Sequence, residues 1–584
     1  MILQALVRYY EAMVESGDLS KPGWSSAVKV AYALEIDDNG NLVHVIPLGD
    51  ELSDSKTKKH VPLSMDVPFQ EKRTSGVIAR FLCDTSAYFL GVDKKYEPEE
   101  AKKRFIASRK LHHEILDDVD SPAAKAILAF FDNWNPDEAT ENPVIKPNLK
   151  ELTSGQKLLF FFNGISVIED SEISDAWQRY YDSFSGEDAD PSDMGVCLVT
   201  GKQAQISLVH PDILGVRNAK VPPALVSFNK HAFESYGKEK DRKDTKGQGK
   251  NAPVSKYAAS AYTAALNSLL ADSDRCRYIG NTIVLCWSES GRREYQKCNN
   301  SLVYGDAGID PQDLTAALKS LASGKPFDWN GFELSPDEHF YYLGLVLRSG
   351  RLSVSFFLED SFGSFARNID RHYERLRIIG PKGRIPTPYW LVSETVRQGD
   401  EVPTRFTDDL IQSILTDSKY PATLLNAINA RIRAEKDVSF GKAAFLKAYY
   451  LQNENSKCPK EVLTVELNEQ SEYLPYVLGR LFSVLAELQE KSAGTELNVT
   501  IRNRYFTSAS TTPAITFDRL LRLSQHHLSK LSKGSQISYD RKITNLVSKI
   551  HSTIPTRFTP VEQVAFQIGY YHENQSRYTT KEDK

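Results

Sequence analysis

Cationic side chains set beside aromatic ones suit a polyanion that also carries rings: charge meets phosphate and rings meet bases. One stretch of this 584-residue sequence has that make-up. Residues 501–557 hold ten Lys or Arg against two acids, a net charge of +8. Residues 514–533 fit a helix. At about 100° per residue, Arg519, Arg522, His526, Lys530 and Lys533 fall within roughly 80° of one another. Leu520, Leu521, Leu528 and Leu531 fall on the opposite side. One face is built to pack and the other to meet water or phosphate. Salt-bridge decoration normally alternates in sign, and this stripe does not. Arg502, Arg504, Tyr505 and Phe506 precede it. An ordinary core position accounts for the two rings equally well.

Charge is sorted elsewhere too. Residues 217–256 carry ten basic residues against four acids, and residues 165–193 carry nine acids against one Arg. The total of -4 hides this sorting. It excludes a uniformly basic protein but not local basic patches. The patterns of catalysis are missing. No G-x-x-x-x-G-K-[ST] loop, dinucleotide fingerprint or G-x-S-x-G elbow occurs. His113-Glu114 is followed by Asp117, so H-E-x-x-H fails. His112, His113, Asp117 and Asp118 offer metal-ligating types, but a polar helix face is the simpler reading. The cysteines at 83, 197, 276, 286, 298 and 458 form no C-x-x-C pair and read as buried free thiols. No catalytic residue, metal site or cofactor is expected.

These side chains need elements to hold them. The N-terminus reads as an amphipathic helix with Leu3, Leu6, Val7 and Tyr10 on one face, not as a signal peptide. Residues 28–36 alternate, Asn39-Gly40 marks a tight hairpin, and 42–46 return. A second hairpin is expected from 196–199 to 205–209, with further strands at 282–287 and 352–358. Residues 50–75, 135–150 and 237–253 read as polar loops. Helices then dominate. One follows Pro421, and four near 473–491, 514–533, 540–552 and 560–575 make a bundle, the last opened by a Thr559–Glu562 capping box. The content, 41% hydrophobic and 25% charged, is that of a globular chain of about three to four domains. No run approaches the roughly 18 apolar residues of a membrane span. The expected class is α+β: a mixed β-rich N-terminal domain followed by a C-terminal helical bundle. Boundaries are expected at 1–400 (sub-domains near 1–195 and 196–400), a 401–464 helical connector, and the 465–584 bundle.

Long blocks of the sequence, in order, resemble one family. They are MILQALVRYYEAM, PGWSSAVKVAYALEID, KRTSGVIARFLCDTSAYFLG at 72–91, CLVTGKQAQISLVHPDILGV at 197–216, ALVSFNKHAFESYGKE at 224–239 and NAPVSKYAASAYTAALNSLL at 251–270. YYLGLVLRSGRLSVSFF at 341–357, RYFTSASTTPAITFDRLLRLSQHHLSKL at 504–531 and QIGYYHENQ at 567–575 continue the series. The resemblance is to the large subunit of the type I-C CRISPR Cascade complex, the CRISPR-associated Csd family, and covers nearly the whole chain. Val346-Leu347-Arg348 departs from the polar segment usual there.

The resemblance implies a non-catalytic cytoplasmic subunit of a ribonucleoprotein. It would sit at the crRNA 5′ handle, beside the backbone, handle-capping and small subunits. It would read the protospacer-adjacent motif (PAM) in double-stranded target DNA, help unwinding and R-loop formation, guide the displaced single strand and recruit the helicase-nuclease. It also implies a separate small subunit made from the C-terminal part by internal translation. Met occurs only at 1, 13, 65 and 194, so a start near 465 would use the codon of Val465 or Leu467. Gln70, Lys72, Arg73, Thr74 and Ser75 are the expected PAM-reading loop. Lys and Arg would anchor phosphate, and Gln, Thr and Ser would bond base edges. A surface turn with solvated charges accounts for the same residues. Lys238, Lys240, Arg242, Lys243, Lys246 and Lys250 are a second DNA-contact candidate; a merely flexible linker accounts for the same residues. Arg502, Arg504, Arg519, Arg522, His526, Lys530 and Lys533 form a face for the displaced strand. Arg367, Arg371, Arg375 and Arg377 recur at helical spacing without choosing a partner. The rival readings are a metal-dependent nuclease of the same defence system and a purely structural scaffold that binds proteins.

Overall fold

The computed structural model describes all residues except 55–56, 71–72, 74–75, 184–193, 229–247, 280, 305–310, 382–385, 454–457, 494–499 and 579–584. By its contacts the chain forms two compact units. The first is Met1–Asp272 with Glu289–Gly291 and Arg348–Leu352, and the second comprises Ser273–Ser288, Arg292–Leu347 and Ser353–Lys584. The class is the expected one, strands mainly in the first 360 residues and helices dominating afterwards.

In the first unit the helix Ile2–Glu15 is followed by β1 (Trp24–Val30), β2 (Tyr32–Ile36), β3 (Leu42–Pro47), β4 (Gly49–Asp54), β5 (Thr57–Pro68), β6 (Cys83–Thr85), β7 (Lys157–Phe162) and β8 (Ile165–Ser166). One sheet runs β3-β2-β7-β6, with β8 beside β7. Its centre, β7, reads KLLFFF. Leu158, Leu159 and Phe160 are all buried, as suits a strand covered on both faces. β2 is parallel to β7, and the helix Pro122–Asn133 packs over both. The hairpin marked by Asn39-Gly40 forms, but with a wider loop than a two-residue turn. Asp37 Oδ1 accepts the Asn39 and Asn41 amides at 3.0 and 2.8 Å, and Gly40 takes φ +77°. A side chain at Gly40 would also strike the backbone of Phe130.

Residues 50–75, expected as a loop, hold most of β4 and all of β5, in a sheet ordered β1-β5-β4. Strand pairing is a backbone property, so polar side chains do not forbid it. Pro62 fits because β5 pairs with β4 up to Pro62 and with β1 from Leu63 onward. The missing N–H falls where partners change. The second hairpin is shorter than expected: β9 (Met194–Val196) pairs with β10 (Gln203–Gln205). The helix Lys256–Ala271 completes this part and packs against Ile2–Glu15.

The second unit opens with β11 (Cys276–Ile279), β12 (Thr282–Ser288), β13 (Phe327–Trp329), β14 (Phe332–Leu334), β15 (His339–Arg348) and β16 (Arg351–Ser361). β12 and β16 cover the two expected strands, in a sheet ordered β11-β12-β15-β16 whose β12 is buried throughout. Helices follow at Phe362–Leu376, Thr404–Leu415, Ala422–Glu435 and Phe440–Gln452, and then the bundle. Leu474–Ala493 is its axis: Val477, Leu478, Leu481, Leu485 and Leu488 are buried. It crosses Pro560–Gln575 backbone to backbone. A Cβ on Gly479 would collide with the Phe566 carbonyl, and one on Gly569 with that of Tyr476. Arg480 and Glu573 make a buried ion pair at 2.9 Å beside this crossing. The Thr559–Glu562 capping box is present.

Two bundle helices depart from the reading. The expected helix 514–533 ends at Leu528, and the next runs Lys533–Val547 rather than 540–552. Ser532 takes an extended conformation at the second start, a position that serine favours. All six cysteines are free and buried.

Candidate nucleic-acid interface

Of residues 70–75, which lie between β5 and β6 in the sequence, the structure describes Gln70 and Arg73. Gln70 is turned inward: its Nε2 donates to the Pro68 carbonyl (2.9 Å) and the Cys83 carbonyl (3.2 Å), and its Oε1 accepts from Lys157 Nζ (2.9 Å). Arg73 is likewise engaged. Its Nε donates to the Ile78 carbonyl (2.6 Å) and its two terminal nitrogens grip both oxygens of Asp84, one at 2.8 Å. Asp84 is fully buried, and the guanidinium lies 3.8 Å over the Tyr88 ring. These two residues lock the base of the loop. Lys72, Thr74 and Ser75 lie outside the described residues.

The same cluster contains two cations that sequence reasoning did not single out, Arg80 and Lys157. Burial, followed by the like charge of Arg73, holds the Arg80 guanidinium below its ordinary pKa. Burial likewise brings Lys157 down to about 8. Burial pushes the neighbouring Cys83 thiol up to about 12, so it stays protonated. Nothing in the spacing of Arg73, Arg80 and Lys157 announces that they meet; strand pairing of β6 with β7 brings them together.

The second region is the outer face of the bundle. The helices Ile501–Thr511 and Pro513–Leu528 bring Arg504 and Arg519 to Tyr505, with guanidinium carbons 5.6 and 5.7 Å from the ring centroid. Both arginines are exposed and Tyr505 is half-buried. Phe506 points the other way, into a cluster with Phe482, Phe566 and Tyr570. The stripe is not as continuous as the helical wheel implies. Arg522 pairs with Asp518 at 3.1 Å, and Arg502 sits half-buried, 3.5 Å from Asp437. His526 and Lys530 are exposed, but Lys530 lies past the helix end and Lys533 begins the next helix. Exposed Arg541 and Lys542 on that next helix extend the basic surface. The local charge sum contained them; the single-helix wheel did not.

The remaining candidates divide. Of the 238–250 loop, Lys238, Lys240, Arg242, Lys243 and Lys246 lie outside the described residues, and Lys250 is half-buried in the turn Gln248–Asn251. Arg371 and Arg375 both hold Asp417, at 2.8 and 2.5 Å; Arg377 pairs with Glu374, and Arg367 bonds the Ala322 carbonyl. Arg371 and Arg375 thus hold the turn that follows the helix Thr404–Leu415, and Arg377 pairs with its own helix. His112 is buried among Phe81, Phe89, Phe131 and Phe160, and burial lowers it to about 4. Its Nδ1 contacts the Ser108 carbonyl and its Nε2 accepts the Leu82 amide. His113 sits between Asp117 and Asp132. Among the described residues no group of three or more His, Cys, Asp or Glu could hold a metal ion, and no helix is long and apolar enough to cross a membrane.

The family model described as CRISPR-associated protein (Cas_Csd1) matches residues 6–578. The chain belongs to this family. No curated protein matches it. As a Cas_Csd1 protein it is a type I-C Cascade large-subunit relative, a Cascade component that works with other Cas proteins. In this Cas_Csd1 chain Arg504, Arg519, Lys530, Lys533, Arg541 and Lys542 are exposed on the bundle, while Gln70 and Arg73 face inward.

Proposed function

We propose that the chain is the non-catalytic large subunit of a type I-C Cascade. It recognises the PAM in duplex DNA, assists unwinding and R-loop formation, guides the displaced strand along its bundle and recruits the helicase-nuclease. The observation that carries this is the Arg504–Tyr505–Arg519 group: an aromatic ring close to two exposed guanidiniums, continued by Lys530, Lys533, Arg541 and Lys542. Such a surface tracks a phosphate backbone and offers a ring to unpaired bases. In the 70–75 loop, Gln70 and Arg73 fix the loop's base and Lys72, Thr74 and Ser75 meet the DNA. Base pairing with the guide reads the rest of the target, a division of labour known for single-protein effectors.

The test is binding by the assembled, guide-loaded complex to duplexes with randomised PAM positions at several salt concentrations. Arg504→Ala/Arg519→Ala/Lys530→Ala is expected to lower the slope of log K against log salt by about two to three. Lys72→Ala/Thr74→Ala is expected to flatten PAM preference. An unchanged slope removes the bundle face from DNA, and unchanged preference moves the reader elsewhere.

A further inference from the structure

A cavity of about 290 Å³ opens in the first unit. Its size is at the small end of ligand sites, which run from about 300 Å³ upward. Its walls are aromatic: Phe69, Trp177, Tyr180, Tyr181 and Tyr257 line it. Trp177 is stacked on Phe81 at 5.3 Å, and its indole N–H bonds the Gly23 carbonyl, so the ring is fixed rather than adaptable. Tyr181 meets both Trp177 and Phe69 at 6.1 Å between centroids.

Among the other lining residues, Arg80, Gln205, Ser255 and Lys256 are polar. Arg80 and Lys256 contribute positive charge. Ser255, Lys256 and Tyr257 bring the N-terminus of the 16-residue helix Lys256–Ala271 to the wall, adding the positive end of its dipole. Gln205 also lines the cavity, and its side-chain Oε1 is buried without a hydrogen-bond partner among the described residues. An unpaired buried acceptor is costly, and a ligand N–H removes that cost. Flat apolar walls, cations and one buried acceptor together call for a flat ring bearing an N–H donor and joined to an anion.

We propose that this cavity binds one unstacked nucleotide of a single strand, with its base between the aromatic rings, an N–H of the base donating to Gln205 Oε1, and its phosphate towards Arg80 and Lys256. The proposal rests on the nucleic-acid reading above and adds a contact to the base itself. Adenine, cytosine, guanine and thymine or uracil all carry a suitable donor, so the site selects the presence of a base before its identity. The strand could be displaced DNA or guide RNA, and the chemistry is shared.

The test uses the full chain and ten-nucleotide single strands of one sequence, as DNA and as RNA, each with its central nucleotide intact or abasic. Base–aromatic contact predicts about tenfold weaker binding of the abasic strands. Gln205→Leu and Ala204→Phe, the latter filling the cavity from its β10 edge, are expected to bind intact and abasic strands alike. The Gln205→Leu salt slope should stay that of the wild type. Tighter binding of DNA assigns the site to the displaced strand, and tighter binding of RNA to the guide. Equal wild-type affinity for intact and abasic strands overturns the cavity proposal. So does an abasic penalty that survives in both folded variants. If salt-dependent binding persists in those cases, only the cavity falls. If no strand binds in a salt-dependent way, the nucleic-acid reading falls with it.

Discussion

The Arg73 guanidinium holds a carboxylate with no access to water. Removing it leaves Asp84 buried with its strongest partner gone, so Arg73→Ala is expected to cost about 3 kcal/mol, read as a lower urea midpoint. Asp84→Asn in the same background should recover part of the loss, and additive effects of the two changes would show that they do not interact. Buried histidines set a pH limit. His112 and His210 are pushed down to about 4, and His372 and His572 to about 3, in each case first by burial. Unfolded, each takes a proton near pH 6.5. Below that pH the unfolded state binds more protons, so stability is full above about 6.5 and falls as pH drops towards 4. The fall is about 1.4 kcal/mol per pH unit for each histidine involved. Urea midpoints at pH 7, 6 and 5 measure this, and a flat series would refute it. At this scale the sequence showed which side chains carry charge, but not which way they point. Gln70 and Arg73 look like surface reach until β6 and β7 place Asp84 and Lys157 beneath them.

Elements were legible where a local interaction specifies them. The Asn39-Gly40 hairpin, the Thr559 capping box and the leucine stripe from 474 to 488 are each written in neighbouring residues. β4 was not, because a polar strand carries no alternating apolar signal; β5 does alternate, through Val61, Leu63, Met65 and Val67, but Pro62 and Pro68 within it read as loop residues. The break at 529–532 was missed because the leucine pattern continues across it: Leu528 and Leu531 both pack although the helix has ended. The basic surface accordingly spans two helices instead of one. The crossing of Leu474–Ala493 with Pro560–Gln575 is the tightest constraint in the bundle. Gly479→Ala should drive the helices apart and cost at least about 2 kcal/mol in chemical denaturation. A midpoint equal to that of the wild type would mean the helices can yield there.

At the scale of the molecule, one core gathers residues between Trp24 and Trp177, and another runs from Ile279 to Tyr571. Chains with separate cores need not unfold in one step. Calorimetry is expected to resolve two transitions, with Arg73→Ala lowering one and Gly479→Ala the other. A single transition moved by both variants would show that the cores unfold together. The α+β class was readable from the shift in pattern along the chain. The meeting of Arg80, Gln205 and Lys256 at one cavity was not, because it depends on three segments that lie far apart in the sequence. The helix crossing also bears on inheritance. Every missense change reachable from a glycine codon adds at least a methyl group, so Gly479 and Gly569 are two places where no coding variant is mild. A survey of viable alleles should find those two codons altered only at silent positions.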